Sequence, residues 1–364
     1  MPPVKPFQYC LHCGRETIQK VKDRVYKCYA HGEYYDEDKW AFCADAWEKA
    51  DFACVNLASI HRQRDKKFIA LLEKCRKGLA FSPKECALLL NHKSNAEGAV
   101  QLYATREEVR SVNESQFVRL TTAKHTFPAL DGIQVQPHHE NTLRWKRSRE
   151  MDGTLTCLKE HRFEGLLELK EDMLVILLIN LDMDAGLING SQGKIVGWAE
   201  ATKDTIPIPY DPKAKKTPAE KPLVFGDHAG TKADSIRAFR DRMPIKQWPL
   251  VQFENGMTLP VVAECTISEL GDEAPHSLIC RTQIPLLPAW AMSIHKSQGM
   301  TLSKVIVDLS RNFEKGQVYV ALSRATSLKG LKVVALGSQG TGPNETVIKW
   351  LEARFGKMME DDCE

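Results

Sequence analysis

RTQIPLLPAWAMSIHKSQGMTLSKVIVDLSRNFEKGQVYVALSRATSLKGLKVVAL, residues 281–336, is the stretch that decides the fold. Apolar residues run through 281–293, 305–309 and 331–336, as they do in strands covered on both faces. Between them, HKSQGMTL (295–302) reads as the opening of a helix. FEKGQVYVALSRA (313–325) reads as a second one, with Gln317, Ala321 and Arg324 at i, i+4 and i+7. Strand, helix, strand, helix, strand is the order of a parallel sheet covered by helices, an α/β arrangement. Ser293, His295, Lys296, Ser297, Gln298 and Thr301 gather polar groups around Gly299 at a strand-to-helix junction, where backbone N–H groups face anions. Arg324 ends its helix, where an arginine either interacts with the helix dipole or reaches a phosphate; spacing alone does not choose.

Upstream of this block, LVQFENGMTLPVV (250–262) is a hairpin around Asn255-Gly256. Residues 200–246 carry many prolines and charges with little period and read as an inserted loop. LVILLINL (174–181) is a β-type run, followed by the turn NGSQGK and the strand KIVGW. Residues 134–162 hold Arg144, Lys146, Arg147, Arg149, Lys159 and Arg162 around Trp145. They read as an exposed basic hairpin, either a solvated face or a functional patch. From Trp40 to Leu90 apolar residues recur at three and four, with Ser82 and Pro83 placed as cap and first turn of a helix. AVQLY (99–103) alternates as a strand, and Thr105 caps a helix through residue 120. Thr346 to Met359 reads as an amphipathic helix for packing or solvation, ahead of an acidic end.

A chain of 364 residues accommodates two domains or three small ones. With 43% hydrophobic and 27% charged residues it is neither disordered nor low-complexity. No apolar run is long enough to span a bilayer, and the first residues lack a signal-peptide pattern, so the reading is intracellular. A net charge of +3 excludes a generally basic surface, and nucleic-acid binding must come from a local track. Eleven cysteines, an odd number in a long chain, point to thiols or metal ligands rather than disulfides.

Cys10-x2-Cys13, fourteen residues, then Cys28-x2-His31 is the spacing of two knuckles closing on one tetrahedral zinc, with Gly14 and Gly32 at the sharp turns. Four protein ligands leave no open position, so such a site is structural. No GxxxxGK[ST] pattern occurs: Gly193-Lys194 is followed by Ile195 and Gly356-Lys357 by Met358. The runs ending at Asp182 and Asp308 lack the paired Asp-Glu that holds magnesium. The chain alone therefore has no phosphate cradle.

At IHKSQGMTL and VYVALSRA the sequence resembles the PIF-type (petite integration frequency) helicases, a RecD-like branch of superfamily-one DNA helicases. These two stretches are similar to the fifth and sixth helicase motifs. Ile60-His61-Arg62-Gln63 is similar to the fourth, with His61 where an aromatic usually stands. LYATREEVRSVNE (102–114) resembles the segment bearing a DNA-contacting Thr and a later Asn, here Thr105 and Asn113, with Arg106 in place of the usual Asn. NLDMDAGLINGSQGKIVGW (180–198) resembles the entry to the family's inserted small β-barrel. Pro-Pro-Val at 2–4 resembles the end of the third motif, so the resemblance covers nearly the whole chain but only the C-terminal half of the motor.

The resemblance implies a RecA-like domain over 51–185 and 286–342, and an inserted barrel over 186–285. It further implies a remainder of the first motor domain with the zinc segment over 1–50, and a C-terminal helix and acidic tail over 343–364. It implies the C-terminal part of an ATP-dependent, 5′-to-3′ DNA helicase of replication, repair, recombination or telomere maintenance, in the nucleus or mitochondrion. Arg62 and Arg324 are then the arginine fingers, and Gln298 and Gly299 couple nucleotide to DNA. Thr105, Asn113, His295, Lys296, Ser297 and Thr301 hold single-stranded DNA. ATP and magnesium bind only with a first motor domain, supplied by a missing N-terminal half or by another chain. Two other readings are an autonomous single-stranded-DNA-binding remnant without ATP turnover and a zinc-stapled interaction module. On charge alone, HRQR around Arg62 is also what a solvated run looks like.

Overall fold

The computed structural model describes residues 19–22, 25–35, 40–55, 59–77, 79–159, 161–210, 222–271, 273–310, 316–337 and 345–356. Three short strands come first, β1 (Gln19–Lys22), β2 (Val25–Cys28) and β3 (Gly32–Tyr35), paired antiparallel in that order. The helices α1 (Asp45–Ala50), α2 (Lys66–Arg76) and α3 (Pro83–Asn91) follow. The Asp65 carboxylate accepts from the amides of Lys67 and Phe68 and starts α2, which buries Phe68, Leu71, Leu72 and Cys75 at helical spacing. At Ser82 the expected cap is a full capping box. The Ser82 hydroxyl accepts from Glu85 N at 3.3 Å, Glu85 accepts from Ser82 N at 2.6 Å, and Pro83 occupies the first turn.

Next come β4 (Val100–Tyr103), α4 (Arg106–Arg119), β5 (Lys124–Pro128), β6 (Leu130–Gln134) and α5 (Glu140–Leu143). They are followed by β7 (Leu166–Lys170), β8 (Leu174–Leu177), β9 (Gln192–Glu200), β10 (Ile208–Pro209), β11 (Leu223–Val224) and α6 (Ala229–Arg242). The strands β12 (Gln247–Phe253), β13 (Thr258–Pro260), β14 (Glu264–Leu270), β15 (Ser277–Gln283), β16 (Leu286–Pro288) and β17 (Ala291–Ser293) then run almost without pause. The described chain closes with β18 (Val305–Leu309), α7 (Gln317–Leu322), β19 (Leu331–Leu336) and α8 (Glu345–Phe355).

The chain divides into two units. One comprises Met1–Thr105, Ser293–Gln298 and Ser303–Glu364; the other comprises Arg106–Met292 and Gly299–Leu302. The first is built on the expected parallel sheet, ordered β17-β4-β18-β19 with only Ser293 of β17 inside the unit, and with Val305 opposite both Val100 and Leu331. Its central strand β18 buries Val305, Val307 and Leu309. In the same unit Trp350 of α8 packs on Phe42 and Trp47, ring centroids 5.0 and 6.2 Å apart, which gives the amphipathic tail helix its apolar partner.

The second unit is antiparallel. A five-stranded sheet, β13-β12-β9-β8-β16, covers a core of Leu177, Ile195, Trp248 and Val251, and the sheet β14-β15-β6 lies in the same unit. The hairpin around Asn255-Gly256 is present as β12 and β13, with Gly256 at φ 87°. The buried Arg281 side chain donates twice to Asp131, at 2.7 Å each, and once to each carbonyl of Leu158 and Phe163 at 3.0 Å. Asp131 also accepts from Leu155 N at 2.7 Å, so this ion pair fastens residues 155–163 to β6 and β15.

Four expectations differ from the structure. Residues 294–299 are turns rather than a helix opening, and the second helix shortens to α7. Residues 200–246 are not a loop throughout: α6 buries Ala229, Ala233, Ile236 and Phe239, a helical stripe diluted by charged neighbours, while residues 211–221 lie outside the described set. The basic segment 134–162 is short helical turns with one bridge, Arg149 to Leu155, instead of a long hairpin. The expected boundaries at 185/186 and 285/286 fall inside one sheet, because β8 pairs with β9 and with β16.

Candidate nucleotide and nucleic-acid site

The site residues are positioned by one loop and one short helix of the first unit. The loop leaves β17 at Ser293 and turns tightly, Ser297 N donating to Ser293 O at 3.1 Å and Gln298 N to His295 O at 3.2 Å. The Ser297 hydroxyl is fully buried and donates to Ile294 O at 2.7 Å. Ile294 N in turn reaches Tyr103 O at 3.0 Å, which places the loop beside the end of β4, two residues before Thr105. Within the loop Lys296 and Gln298 are exposed and His295 is half-buried.

Arg324 lies just past α7 and is 7% exposed. Its Nε donates to Val320 O at 2.8 Å, one Nη donates to Ser323 Oγ at 2.8 Å, and the other lies 3.4 Å from Ser297 O. From the start of the chain, Arg62 donates to Ser323 O at 3.0 Å, and the buried Gln63 amide donates to Ser323 O at 3.2 Å and Ala325 O at 2.8 Å. Two arginines some 260 residues apart are thus registered on the same turn of backbone. Burial, and then the nearby Arg62 charge, pull the Arg324 guanidinium down to about 10, so it remains cationic at neutral pH. A pair of like charges held together by backbone carbonyls is an arrangement suited to a multiply charged anion. Gln63 entered the sequence reading only as the last residue of the stretch similar to the fourth motif, with no role of its own.

The structure brings Arg62, Arg324 and Ser297 together, with His295, Lys296 and Gln298 on the same loop. Gly299, Thr301 and Asn113 belong to the second unit. Gly299 sits at φ 82°, where glycine is favoured. The Thr301 backbone packs on Gly190, where an added Cβ would lie 2.7 Å from Thr301 O. Both ends of the Asn113 carboxamide engage Ala291, Nδ2 donating to its carbonyl and Oδ1 accepting from its amide, at 2.9 Å each.

Of the four expected zinc ligands, Cys10 and Cys13 lie outside the described residues. Cys28 and His31 flank the tip of the β2–β3 hairpin, Sγ 3.8 Å from Nδ1, with His31 N bonded to Cys28 O and Gly32 at φ 92°. Among the described residues no group of three or more His, Cys, Asp or Glu is placed to hold a metal. Nor is any described helix long and apolar enough to cross a membrane.

Comparison with known proteins identifies two matching family models. One, described as DNA helicase Pif1, 2B domain, matches residues 156–198; the other, described as Helicase, matches 265–335. The ATP-dependent DNA helicase PIF1 of Emericella nidulans is 33% identical over 320 residues, covering 82% of this chain and 39% of that protein. The Xenopus laevis protein of the same name is 29% identical over 318 residues, covering 86% and 40%. Among solved structures, Pif1 helicase from Candida albicans superposes with a TM-score of 0.55 at 28% identity, over 86% of this chain and 64% of that one. A Bacteroides Pif1 in complex with ADP-AlF4 gives 0.54 at 20% identity, over 86% and 60%, a likeness of fold alone. The chain spans about two fifths of the length of these curated relatives.

Proposed function

This chain belongs to the PIF1-type helicases over the span it shares with them, and from that premise we propose that it supplies the second motor domain of an ATP-dependent DNA helicase. The observation that carries the reading is the joint registration of Arg62 and Arg324 on the Ser323 turn, beside the loop 293–298. Arginines held this way neutralise charge that develops on a transferring phosphoryl group. Gln298 and Gly299 relay nucleotide state to the strand. Thr105, His295, Lys296 and Thr301 contact phosphates and sugars, and the buried Ser297 shapes the turn that presents them. The antiparallel strands of the second unit include the family's inserted barrel. The phosphate cradle and the magnesium-holding acids have no counterpart among the sequence patterns here, so in this reading a first motor domain provides them. Movement is 5′-to-3′, and the work lies in replication, repair, recombination or telomere maintenance, in the nucleus or mitochondrion.

The test is binding of a fluorescent single-stranded oligonucleotide across a salt series. The chain is expected to bind with affinity falling steadily as salt rises, and Lys296→Ala to reduce the slope of log K against log salt by about 0.7. On its own the chain is expected to show no DNA-stimulated ATP hydrolysis. Absence of binding at low salt, or turnover by the chain alone, would overturn the proposal. An in-frame GxxxxGK[ST] upstream of Met1 in the genome separates a helicase half from a binding remnant.

We also infer a structural zinc held by Cys10, Cys13, Cys28 and His31. Ligands on one tetrahedral zinc, at roughly 2.3 Å for sulfur and 2.0 Å for nitrogen, lie about 3.5 Å apart, close to the 3.8 Å between Cys28 and His31. Among the residues of β1–β3 whose burial is described, Cys28 and Tyr34 are buried, and a metal staple is what so small a sheet uses to supplement its core. Metal analysis of the purified chain is expected to give one zinc per molecule, lost in Cys28→Ser, with the first 35 residues becoming protease-sensitive. A metal-free protein whose N-terminal segment resists protease equally well refutes the inference.

A further inference from the structure

We propose that Asn113 is a positioning residue that caps the free edge of β17 and so fixes the strand from which the loop 293–298 departs. The importance given to that loop rests on the helicase reading; the geometry does not. β17 is the outermost strand of its sheet, and it is only three residues long. Peptide groups alternate in direction along a strand, so Ala291, an odd number of residues from Ile294, points its N–H and C=O away from β4, where Ile294 N finds Tyr103 O. Those outward groups are the ones an edge strand leaves unpaired.

Asn113 satisfies both of them. A carboxamide presents one donor and one acceptor in the geometry of a peptide group, so it pairs with Ala291 as a neighbouring strand would. The residue type is otherwise a poor choice near the middle of α4, where asparagine ranks among the weaker helix formers. Within its own unit α4 has no fully buried side chain; Phe117 packs against the core from its last turn, and Lys170 Nζ donates to Phe117 O at 3.1 Å and Leu120 O at 2.7 Å near its end. With its amide committed to Ala291, Asn113 acts on DNA through the strand rather than by touching it.

Hydrogen exchange on the full chain tests this. Asn113→Leu is expected to speed exchange about tenfold at the Ala291 amide and, because the strand end loosens, several-fold at the Ser297 and Gln298 amides that close the loop. Asn113→Asp keeps an acceptor for the Ala291 amide but sets a carboxylate against its carbonyl. It provides a milder variant with about a threefold effect, should the leucine variant melt globally. Unchanged exchange at Ala291 overturns the proposal, and so does an increase confined to Ala291 with the loop amides unaffected. Oligonucleotide binding is measured in parallel. A wild-type chain that binds no DNA sinks the helicase reading while leaving the exchange result intact, whereas weakened binding with unchanged exchange makes Asn113 a direct contact.

Discussion

Asp131→Ala is expected to destabilise the protein by about 3–5 kcal/mol, the cost of leaving a buried guanidinium without its carboxylate. Both partners are almost wholly inaccessible, at 0% and 2% side-chain exposure, so water cannot take the place of the lost oxygens. The substitution also orphans Leu155 N and releases residues 155–163 from β6. For a unit of this size the midpoint of thermal unfolding should fall by about 10 °C, read by calorimetry. Replacing both partners with apolar residues, Asp131→Leu with Arg281→Met, is expected to recover most of the loss, because the desolvation cost vanishes with the charges. A single-variant loss below about 1 kcal/mol would mean that the pair is hydrated in solution.

The second large effect is acid sensitivity at His161, which touches the same cluster. Its Nδ1 accepts from Phe163 N at 3.0 Å, so the ring proton sits on Nε2, which donates to Thr266 Oγ1 at 2.8 Å. The Thr266 hydroxyl in turn donates to Arg281 O at 3.3 Å. Burial, and then the Arg281 charge, push the imidazole down to about 4. The folded state therefore keeps this ring neutral where the unfolded chain, titrating near 6.5, already binds a proton. Stability is undiminished above pH 6.5 and declines as pH falls from 6.5 to 4, by about 3 kcal/mol in all. His161→Gln should flatten denaturant-measured stability across that interval; an unchanged slope would assign the acid sensitivity to other groups. The two predictions are coupled, since Asp131→Ala leaves Arg281 uncompensated beside the ring and should deepen the acid loss.

Local signals were readable where a residue acts on its own neighbours. Ser82 and Pro83 announce the start of α3, and Asn255-Gly256 announces its hairpin. The apolar run at 305–309 fixed the centre of the parallel sheet. What the pattern did not carry were partnerships across distance. Asp131 and Arg281 are ordinary charged residues until β6 and β15 pair Gly132 with Cys280 and bring them to one side. The expected helix at 295–302 failed for a local reason: Ser293 and Ser297 spend their polar groups on loop carbonyls and amides, which competes with helical hydrogen bonding. At the site, motif resemblance singles out Arg62 and Arg324, but their common seat on the Ser323 carbonyl turn was not legible, because it depends on contacts some 260 residues apart.

The interruption of the first unit by residues 106–292 has a consequence for how the chain is made. As the polypeptide emerges, β4 is complete long before its neighbour β18, which follows roughly 200 residues later. The intervening antiparallel unit is nearly contiguous and has all but its last few residues in hand by Met292, so it is placed to collapse first. Until then β4 travels unpaired on a nascent chain with its Val100 and Leu102 side chains uncovered, and the closing of the parallel sheet is a late event in biogenesis.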